Sequence, residues 1–455
     1  MKVKSMDSSA VFTLRVRIVL GGTCIFLALL LIANAWTIPF LFESPSILYK
    51  FGIDKMFLRS GKVLGVTAAV LVFFQILLVS RLKILDRIFS LNRIYIFHRI
   101  NGITIAALAL LHPILVVAAE NFTFFPFEKR YWPEFLGVGV LVFFLVLMTT
   151  ANWRLIFGFA YDKWLRFHRL GTLLTIALMI IHILFVSETF KSGLPRTLVL
   201  VAAGINLLLI LRIWYRRFFP GKRQFFVSNV EPAGRDAYSV DVRPCDGQIF
   251  DYMPGQFVFI TPVSANVSKE EHPFTISSTP SRPDSLQFVI RSLGDWTSKI
   301  NRLKAGESIL IDGPYGLFTH IVTSKREPII MVAGGIGITP MLSMIRYMAD
   351  VDDQRRILLI WSNKTKGHIV FPEEFRNLKH RLQNFRINHV ITSGSGDVDE
   401  KGRLDQTKLE RLLKGYSRKS NVFICCPFEM MKKMSRAIKK LGFSSTRVYK
   451  EEFKL

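Results

Sequence analysis

The chain has 455 residues, which is too long for one ordinary domain, and half of its residues are hydrophobic. The formal net charge is +26, but residues 1–223 hold 26 Lys and Arg against 9 Asp and Glu, mostly between apolar runs. Membrane proteins place their basic residues in this way, and no nucleic-acid-binding motif accompanies the charge. These features exclude a single soluble domain and argue against a nucleic-acid partner.

Six apolar runs in the first half are long enough to cross a bilayer as helices. We predict spans near residues 18–40, 63–80, 96–119, 135–151, 168–187 and 197–215. The first run is too long for a cleaved signal peptide and is followed by more such runs, so we expect no cleavage. The N-terminal tail and alternate connections carry 18 Lys and Arg, against 8 in the other connections. The positive-inside rule therefore predicts a multi-pass cell-membrane protein with both termini and the C-terminal half in the cytoplasm.

The first 271 residues contain only four histidines, His98, His112, His168 and His182, two on the third span and two on the fifth. The members of each pair are 14 residues apart, so they share a helix face and lie about 21 Å apart along it. A haem iron with two axial imidazoles takes one histidine from each of two facing helices. The spacing predicts an inner haem between His98 and His168, and an outer one between His112 and His182. Hydrogen bonding across the helix bundle is the alternative.

The second half of the chain changes in pattern. A basic linker at 216–223 with a Pro-Gly breaker precedes short strands and turns at 224–322, which predict an antiparallel β-barrel. Residues 323–455 alternate apolar strands with helices, which predicts an α/β domain with a parallel sheet. With the six-helix transmembrane α bundle at 1–215, the fold class is a multi-domain membrane protein. The four cysteines show no disulfide or zinc spacing, which fits a soluble half in a reducing cytosol.

Residues 272–278 read His-Pro-Phe-Thr-Ile-Ser-Ser. This motif closely resembles the flavin-binding motif of the NADPH oxidase/ferric reductase superfamily, a branch of the ferredoxin-reductase-like flavoproteins. By that resemblance, the residues expected to contact FAD are His272, Pro273, Phe274, Thr275 and Ser277. Residues 290–297 resemble the second flavin-contact segment of the family, where Arg291 and Thr297 are candidate pyrophosphate contacts. A plain β-barrel with a His-Pro turn is the alternative.

A predicted strand at Ile329–Ala333 runs into Gly-Gly-Ile-Gly-Ile-Thr-Pro and then a helix from Met341 to Met348. Backbone N–H groups in such a turn can approach a pyrophosphate at a helix N-terminus. The turn resembles the pyridine-nucleotide loop of the same family, and its candidate contacts are Gly334, Gly335, Gly337, Thr339 and Pro340. Lys364, after the next strand, is a candidate contact of a 2′-phosphate, which favours NADPH over NADH and leaves dual use open. A structural turn before a helix is the alternative.

Two further matches concern the place where nicotinamide meets flavin. The family has Cys-Gly-Pro at a later strand end, and this chain has Cys425-Cys426-Pro427. The resemblance places Cys425 beside the nicotinamide, although Cys426 replaces the family's glycine. Phe453 is similar to the terminal aromatic residue that covers the flavin in the family. Both are candidate catalytic and cofactor-binding residues, and buried structural cysteines and a frayed terminus are the alternatives.

The resemblance covers nearly the whole chain and implies an NAD(P)H oxidoreductase of the NADPH oxidase or ferric-chelate reductase type. Electrons are expected to pass from cytosolic NAD(P)H through FAD and two b-type haems to oxygen or a ferric chelate at the outer face. Two alternatives stay open: a haem-binding membrane sensor or scaffold, and a reductase that feeds a quinone or a cytosolic partner. The expected partners are the lipid bilayer and these small molecules, and the sequence identifies no protein partner.

Overall fold

A computed structural model describes residues 14–42, 51–122, 127–154, 156–159, 161–218, 223–282, 284–324, 326–393 and 399–452. The chain forms two compact units. One contains the described residues from 16 to 218, and the other contains the described residues from 223 onward.

The described part of the first unit is helical. Its helices are α1 (Leu14–Leu41), α2 (Gly52–Val79), α3 (Lys83–Phe89), α4 (Leu91–Ala118), α5 (Trp132–Trp153), α6 (Tyr161–Val186) and α7 (Gly193–Phe218). All except α3 are long and apolar enough to cross a membrane. They also expose many large apolar side chains, as lipid-facing helices do. The prediction of six spans is therefore confirmed, while the short helix α3 was not predicted.

Two helix pairs dominate this unit, because α2 packs along α4 and α5 packs along α6. Small residues on α2, among them Gly61 and Ala68, are buried and allow close approach. Polar groups in the bundle bond to one another: Nδ2 of Asn101 donates to the carbonyl of Leu71 at 2.9 Å. The Asn101 amide thus finds its acceptor inside the bundle, where no water would be available in a membrane interior.

The second unit begins with a six-stranded antiparallel sheet. Its strands are β1 (Arg223–Gly234), β2 (Ala237–Pro244), β3 (Phe257–Val263), β4 (His272–Thr275), β5 (Leu286–Arg291) and β6 (Ser308–Tyr315). Their spatial order is β4-β3-β6-β1-β2-β5, and the end strands β4 and β5 contact each other, so the sheet curls around an apolar core. The predicted antiparallel β domain is confirmed.

A parallel six-stranded sheet follows, in the order β10-β9-β8-β7-β11-β12. The strands are β7 (Ile329–Gly334), β8 (Ile357–Asn363), β9 (Phe385–Ile391), β10 (Glu400–Lys401), β11 (Asn421–Cys425) and β12 (Val448–Glu451). Two apolar cores, one per face, hold the helices α8 (Thr339–Asp350), α9 (Pro372–Arg381), α10 (Gln406–Leu412) and α11 (Phe428–Lys440). Because both faces are covered, β7, β8 and β11 are buried throughout. The predicted α/β domain is confirmed.

Candidate functional site

Backbone carbonyl groups contact the rings of His112 and His182. Nδ1 of His112 lies 2.7 Å from the carbonyl oxygen of Gly61, and Nδ1 of His182 lies 2.8 Å from that of Pro133. A carbonyl can only accept a hydrogen bond, so Nδ1 carries the proton in both rings. In the neutral imidazole, Nε2 then keeps its lone pair, which is the state that a metal-binding histidine needs.

Glycines make room for these two rings. A Cβ atom at Gly137 on α5 would lie 2.5 Å from Cε1 of His182. A Cβ atom at Gly65 on α2 would lie 2.9 Å from Nδ1 of His112. Both separations are shorter than any normal carbon contact, so each imidazole occupies space that only glycine leaves open. Neither glycine is predicted from the sequence, because nothing local in the sequence links it to a distant histidine.

His98 and His168 have a different environment. Nδ1 of His98 and Nδ1 of His168 are buried, and neither has a hydrogen-bond partner among the described residues. The His168 ring stacks on Trp164 with 5.3 Å between ring centroids. The His98 backbone is fixed through its carbonyl, which accepts a 3.1 Å hydrogen bond from Nε2 of Gln75. The helices thus hold both residues in place, but no described group bonds either imidazole at Nδ1.

The fold brings the histidines together in the predicted pairs. His98 lies within electrostatic range of His168, and His182 within range of His112. No group of three or more His, Cys, Asp or Glu that could hold a bare metal ion occurs in the described ranges. Two imidazoles at each level therefore fit a metal that brings further ligands of its own, as haem iron does.

The predicted flavin motif forms β4, which pairs with β3 so that Phe274 lies opposite Val258. The half-buried His272 ring packs against Trp296 with 4.3 Å between centroids, and its Nε2 lies 3.3 Å from a carboxylate oxygen of Glu270. Burial lowers the pKa of His272, although Glu270 opposes the shift. His272 is therefore neutral at pH 7. Trp296 also stacks on Phe274, so it braces the whole motif, a role that sequence analysis did not assign.

Arg291 lies where the two soluble domains meet. Its Nε donates to a carboxylate oxygen of Asp236 at 2.6 Å, and its Nη1 lies 3.2 Å from the position that a Cβ at Gly335 would occupy. Thr297 holds the preceding turn, because its Oγ1 accepts hydrogen bonds from the backbone N–H groups of residues 293 and 294. Oγ of Ser277 is buried and has no partner among the described residues. Of these three side chains, Arg291 is the one that reaches the nucleotide loop.

The nucleotide loop follows β7 as predicted. A single 3₁₀ turn at Gly335–Ile338 leads into α8, which begins at Thr339 with Pro340 in its first turn. Proline suits this place because the missing N–H would be unpaired there. The carbonyl of Gly335 accepts a 2.9 Å hydrogen bond from Nε1 of Trp361, a contact that sequence analysis missed. Gly334 ends β7.

The end of β11 lies directly under this loop. A Cβ atom at Gly337 would lie 2.1 Å from the carbonyl oxygen of Cys425, so two backbones meet here without a side chain between them. The Cys425 side chain is fully buried. Burial raises the pKa of the Cys425 thiol, and raises that of Cys426 to about 12. Both thiols are protonated at neutral pH, so neither is a nucleophile.

Lys364 follows β8 and is exposed at the same sheet edge. The residue before it, Asn363, is 4% exposed, and neither atom of its amide group has a partner among the described residues. A buried unpaired amide at the carboxyl edge of a parallel sheet is a candidate ligand contact. Nothing in the neighbouring sequence indicates that Asn363 is buried. The predicted Phe453 lies outside the described residues.

Three family descriptions match consecutive parts of the chain. Residues 64–179 match the ferric reductase like transmembrane component, residues 225–319 an FAD-binding domain, and residues 331–436 an oxidoreductase NAD-binding domain. The chain has the NADPH oxidase/ferric reductase architecture. Its FAD- and NAD-binding domains confirm the prediction of an NAD(P)H oxidoreductase module on a multi-pass membrane domain.

Curated relatives resemble the soluble half. The glycine betaine monooxygenase reductase subunit of Chromohalobacter salexigens is 28% identical over 214 residues, which are 45% of this chain and 57% of that protein. The flavohemoprotein of Bordetella pertussis is 26% identical over 250 residues, 51% of this chain and 61% of that protein. The chain thus spans about three fifths of the length of these relatives.

A solved structure covers more of this chain. The crystal structure of flavohemoglobin from Malassezia yamatoensis, with bound FAD and heme, aligns with a TM-score of 0.50. The alignment covers 88% of this chain and 98% of the flavohemoglobin chain, at 19% sequence identity. This likeness concerns the fold alone.

Proposed function

We propose that the protein transfers electrons from cytosolic NAD(P)H through FAD and two b-type haems to an acceptor at the outer face of the membrane. The observation that carries this proposal is a single chain in which two levels of paired intramembrane histidines are joined to an FAD- and NAD-binding module. Bound FAD would supply the conversion between two-electron hydride chemistry and one-electron transfer, which is needed because each haem would carry only one electron. The proposed acceptor is oxygen or a ferric chelate.

The proposed haem ligands come from α4 and α6. His98 and His168 would hold the inner haem, and His112 and His182 the outer one. The carbonyl contacts of the outer pair support this assignment, because they leave Nε2 of each ring able to bind iron. The inner pair supports it through position, because His98 and His168 lie within electrostatic range of each other.

The reductase residues would bind and orient the two nucleotides. We propose as FAD contacts His272, Pro273, Phe274, Thr275, Ser277, Arg291 and Thr297. We propose as NAD(P)H contacts Gly334, Gly335, Gly337, Thr339, Pro340 and Lys364. Loop N–H groups and the N-terminus of α8 suit an anionic pyrophosphate. Cys425 would pack as a neutral thiol against the nicotinamide, and Phe453 would cover the flavin.

The proposed domain bounds are 1–215 for the membrane domain, 216–223 for the linker, 224–322 for the flavin domain and 323–455 for the nucleotide domain. The excess of Lys and Arg in the tail and alternate connections supports a cytoplasmic position for the reductase domains. With this orientation, the proposed haem levels connect a cytoplasmic donor to an external acceptor.

The direct test is anaerobic. The full chain is purified in detergent with FAD, NADPH is added under argon, and the flavin and haem absorption bands are followed. We expect flavin reduction followed by haem reduction, and then reoxidation when oxygen or a ferric chelate is admitted. The faster oxidant identifies the better acceptor. If flavin and haem both stay oxidised, the sensor or scaffold alternative replaces the proposal.

Histidine variants test the haem assignment. Replacing His182 with alanine should remove about half of the bound haem, because one of two iron sites loses a ligand. NADPH should still reduce the flavin in His182→Ala. His380→Ala is the matched control, since His380 is exposed on α9, and it should retain all haem. Full haem content in His182→Ala would refute the assignment. Electron output that survives a block of the outer face would favour the quinone or cytosolic-partner alternative.

A further inference from the structure

Helix α8 of the nucleotide domain lies against the segment that follows the flavin strand β4. Oγ of Ser343 donates to the carbonyl of Ser278 at 2.7 Å. Seven positions further along α8, a carboxylate oxygen of Asp350 accepts from Oγ1 of Thr279 at 2.7 Å. Positions seven apart share one face of a helix. This face of α8, which begins directly after the nucleotide loop, therefore contacts the chain that leaves the flavin motif.

Arg346 makes the central contact on the same face. Its Nη1 donates to the carbonyl of Ser277 at 2.8 Å and to Oε1 of Gln287 on β5 at 2.7 Å. Its Nε and Nη2 each donate to one carboxylate oxygen of Glu374 on α9, at 2.6 Å. The Arg346 guanidinium thus joins α8 and α9 of the nucleotide domain to two parts of the flavin domain. These parts are the segment after β4 and the strand β5.

The chemistry of this contact requires arginine. The Arg346 side chain is only 7% exposed, and a buried charge is tolerated when an opposite charge and further hydrogen bonds satisfy it. Glu374 supplies the charge through a two-point pair, and the flavin domain supplies the other acceptors. A planar fork of five N–H donors can meet both sets at once, whereas a lysine ammonium cannot span them.

We propose that Arg346 is a positioning residue for hydride transfer, which fixes the distance between the nucleotide loop and β4. The inference rests on the proposed function, because NAD(P)H must reduce the flavin. In that step a C–H bond of the dihydronicotinamide breaks, and the hydrogen leaves with both electrons. The flavin gains this hydride, and the nicotinamide becomes the oxidised pyridinium. Misplacement of reacting atoms by about 1 Å can cost about 100-fold in rate.

The test separates positioning from binding. Anaerobic stopped-flow mixing of the full chain with NADPH gives the limiting rate of reduction per bound flavin and the apparent Kd for NADPH. We expect Arg346→Met to lower the limiting rate by about tenfold or more, with Kd changed by less than about threefold. The limiting rate of Arg346→Lys should lie between those of Arg346→Met and the unmodified protein, because lysine keeps the positive charge but loses the planar set of N–H donors.

Arg355 provides the matched control. Its side chain is 8% exposed and pairs with Asp353 through two nitrogens, but its other hydrogen bonds go to Thr323 and Ser324 rather than to the flavin strands. Arg355→Lys should therefore keep the limiting rate. Gln287→Leu removes one acceptor of Arg346 without touching its charge, and should lower the rate by a smaller factor. If Arg346→Met does not fold, the limiting rate of Gln287→Leu tests the positioning role of Arg346 instead.

A readout other than turnover is hydrogen exchange in the protein before NADPH is added. Backbone amides of residues 277–279 and 335–338 should exchange faster in Arg346→Met than in Arg355→Lys, since the contact that joins them is lost. A limiting rate within about twofold of the unmodified value in both Arg346→Met and Gln287→Leu would overturn the inference alone. A flavin that NADPH fails to reduce in the unmodified protein would overturn the proposed function and this inference together.

Discussion

The membrane unit and the reductase unit both depend on missing Cβ atoms, but for different reasons. On α5, Gly137 leaves room for a side chain, the imidazole of His182. In the nucleotide loop, Gly337 lets one backbone lie against another, at the carbonyl of Cys425. An imidazole can rotate away from an added methyl group, whereas the buried strand β11 is held on both sides by β7 and β12. Substitution of a glycine that lies beside a side chain should therefore be tolerated better than substitution of a glycine that lies beside a backbone.

The largest effect is expected from Gly337→Ala. The added carbon would lie 2.1 Å from a carbonyl oxygen that cannot move, so the loop must shift away from β11. We expect the rate of flavin reduction by NADPH to fall by about 100-fold or more, while FAD content stays normal. Stopped-flow reduction and flavin absorbance measure the two quantities. Gly367→Ala is the control, because the nearest atom to its new carbon is 3.7 Å away. Equal rates in the two variants would contradict the rigid-backbone explanation.

A smaller effect is expected from Gly137→Ala in the membrane unit. The new carbon would lie 2.5 Å from Cε1 of His182, so the ring must turn and give up its hydrogen bond to the Pro133 carbonyl. We expect loss of up to about half of the haem, with flavin reduction unchanged. Gly139→Ala on the same helix is the control, since no atom of the described residues lies within 4 Å of its new carbon. If Gly137→Ala and Gly139→Ala bind haem equally, the explanation that Gly137 makes room for the His182 ring is wrong.

The smallest effect is a pH dependence in the reductase unit. Burial, with help from Arg355, lowers the pKa of His320 to about 3. The folded protein thus keeps His320 neutral, while the unfolded chain takes up a proton below the ordinary pKa of 6.5. Stability should therefore fall as the pH drops below 6.5, by at most about 1.4 kcal/mol per pH unit from this group.

Thermal release of FAD at pH 7.5, 6.5 and 5.5 measures this effect. The unfolding temperature of the unmodified protein should decrease more steeply than that of His320→Leu, which has no proton to take up. Asp353, whose pKa is lowered by its hydrogen bonds to Arg355, contributes a loss in the same direction at lower pH in both proteins. Haem loss from the membrane unit provides the internal comparison and should not differ between them. Parallel FAD curves would exclude His320 as the cause.

Sequence reasoning predicted those parts of the molecule whose signal is local. Six apolar runs predicted six helices, and the Gly-Gly-Ile-Gly-Ile-Thr-Pro run predicted a turn between a strand and a helix. The 14-residue spacing of His98 and His112 reflects the helical period alone, and their roles as ligands stay a prediction. Contacts between distant positions gave no such signal. Arg346 and Glu374 are 28 positions apart, and the partner of His182 is a backbone carbonyl 49 positions away. Because every residue has a backbone carbonyl, the residue type at that position does not predict the contact.

The buried thiols beneath the nucleotide loop have a consequence for oxidative damage. Peroxide attacks the thiolate form of cysteine, and attack requires access. Cys425 and Cys426 are buried, and their raised pKa values keep them protonated. If oxygen is the acceptor, the protein itself produces reactive oxygen at the outer face, across the membrane from these residues. These two residues would then withstand sulfenic acid formation, so the nucleotide site would not be inactivated by the protein's own product.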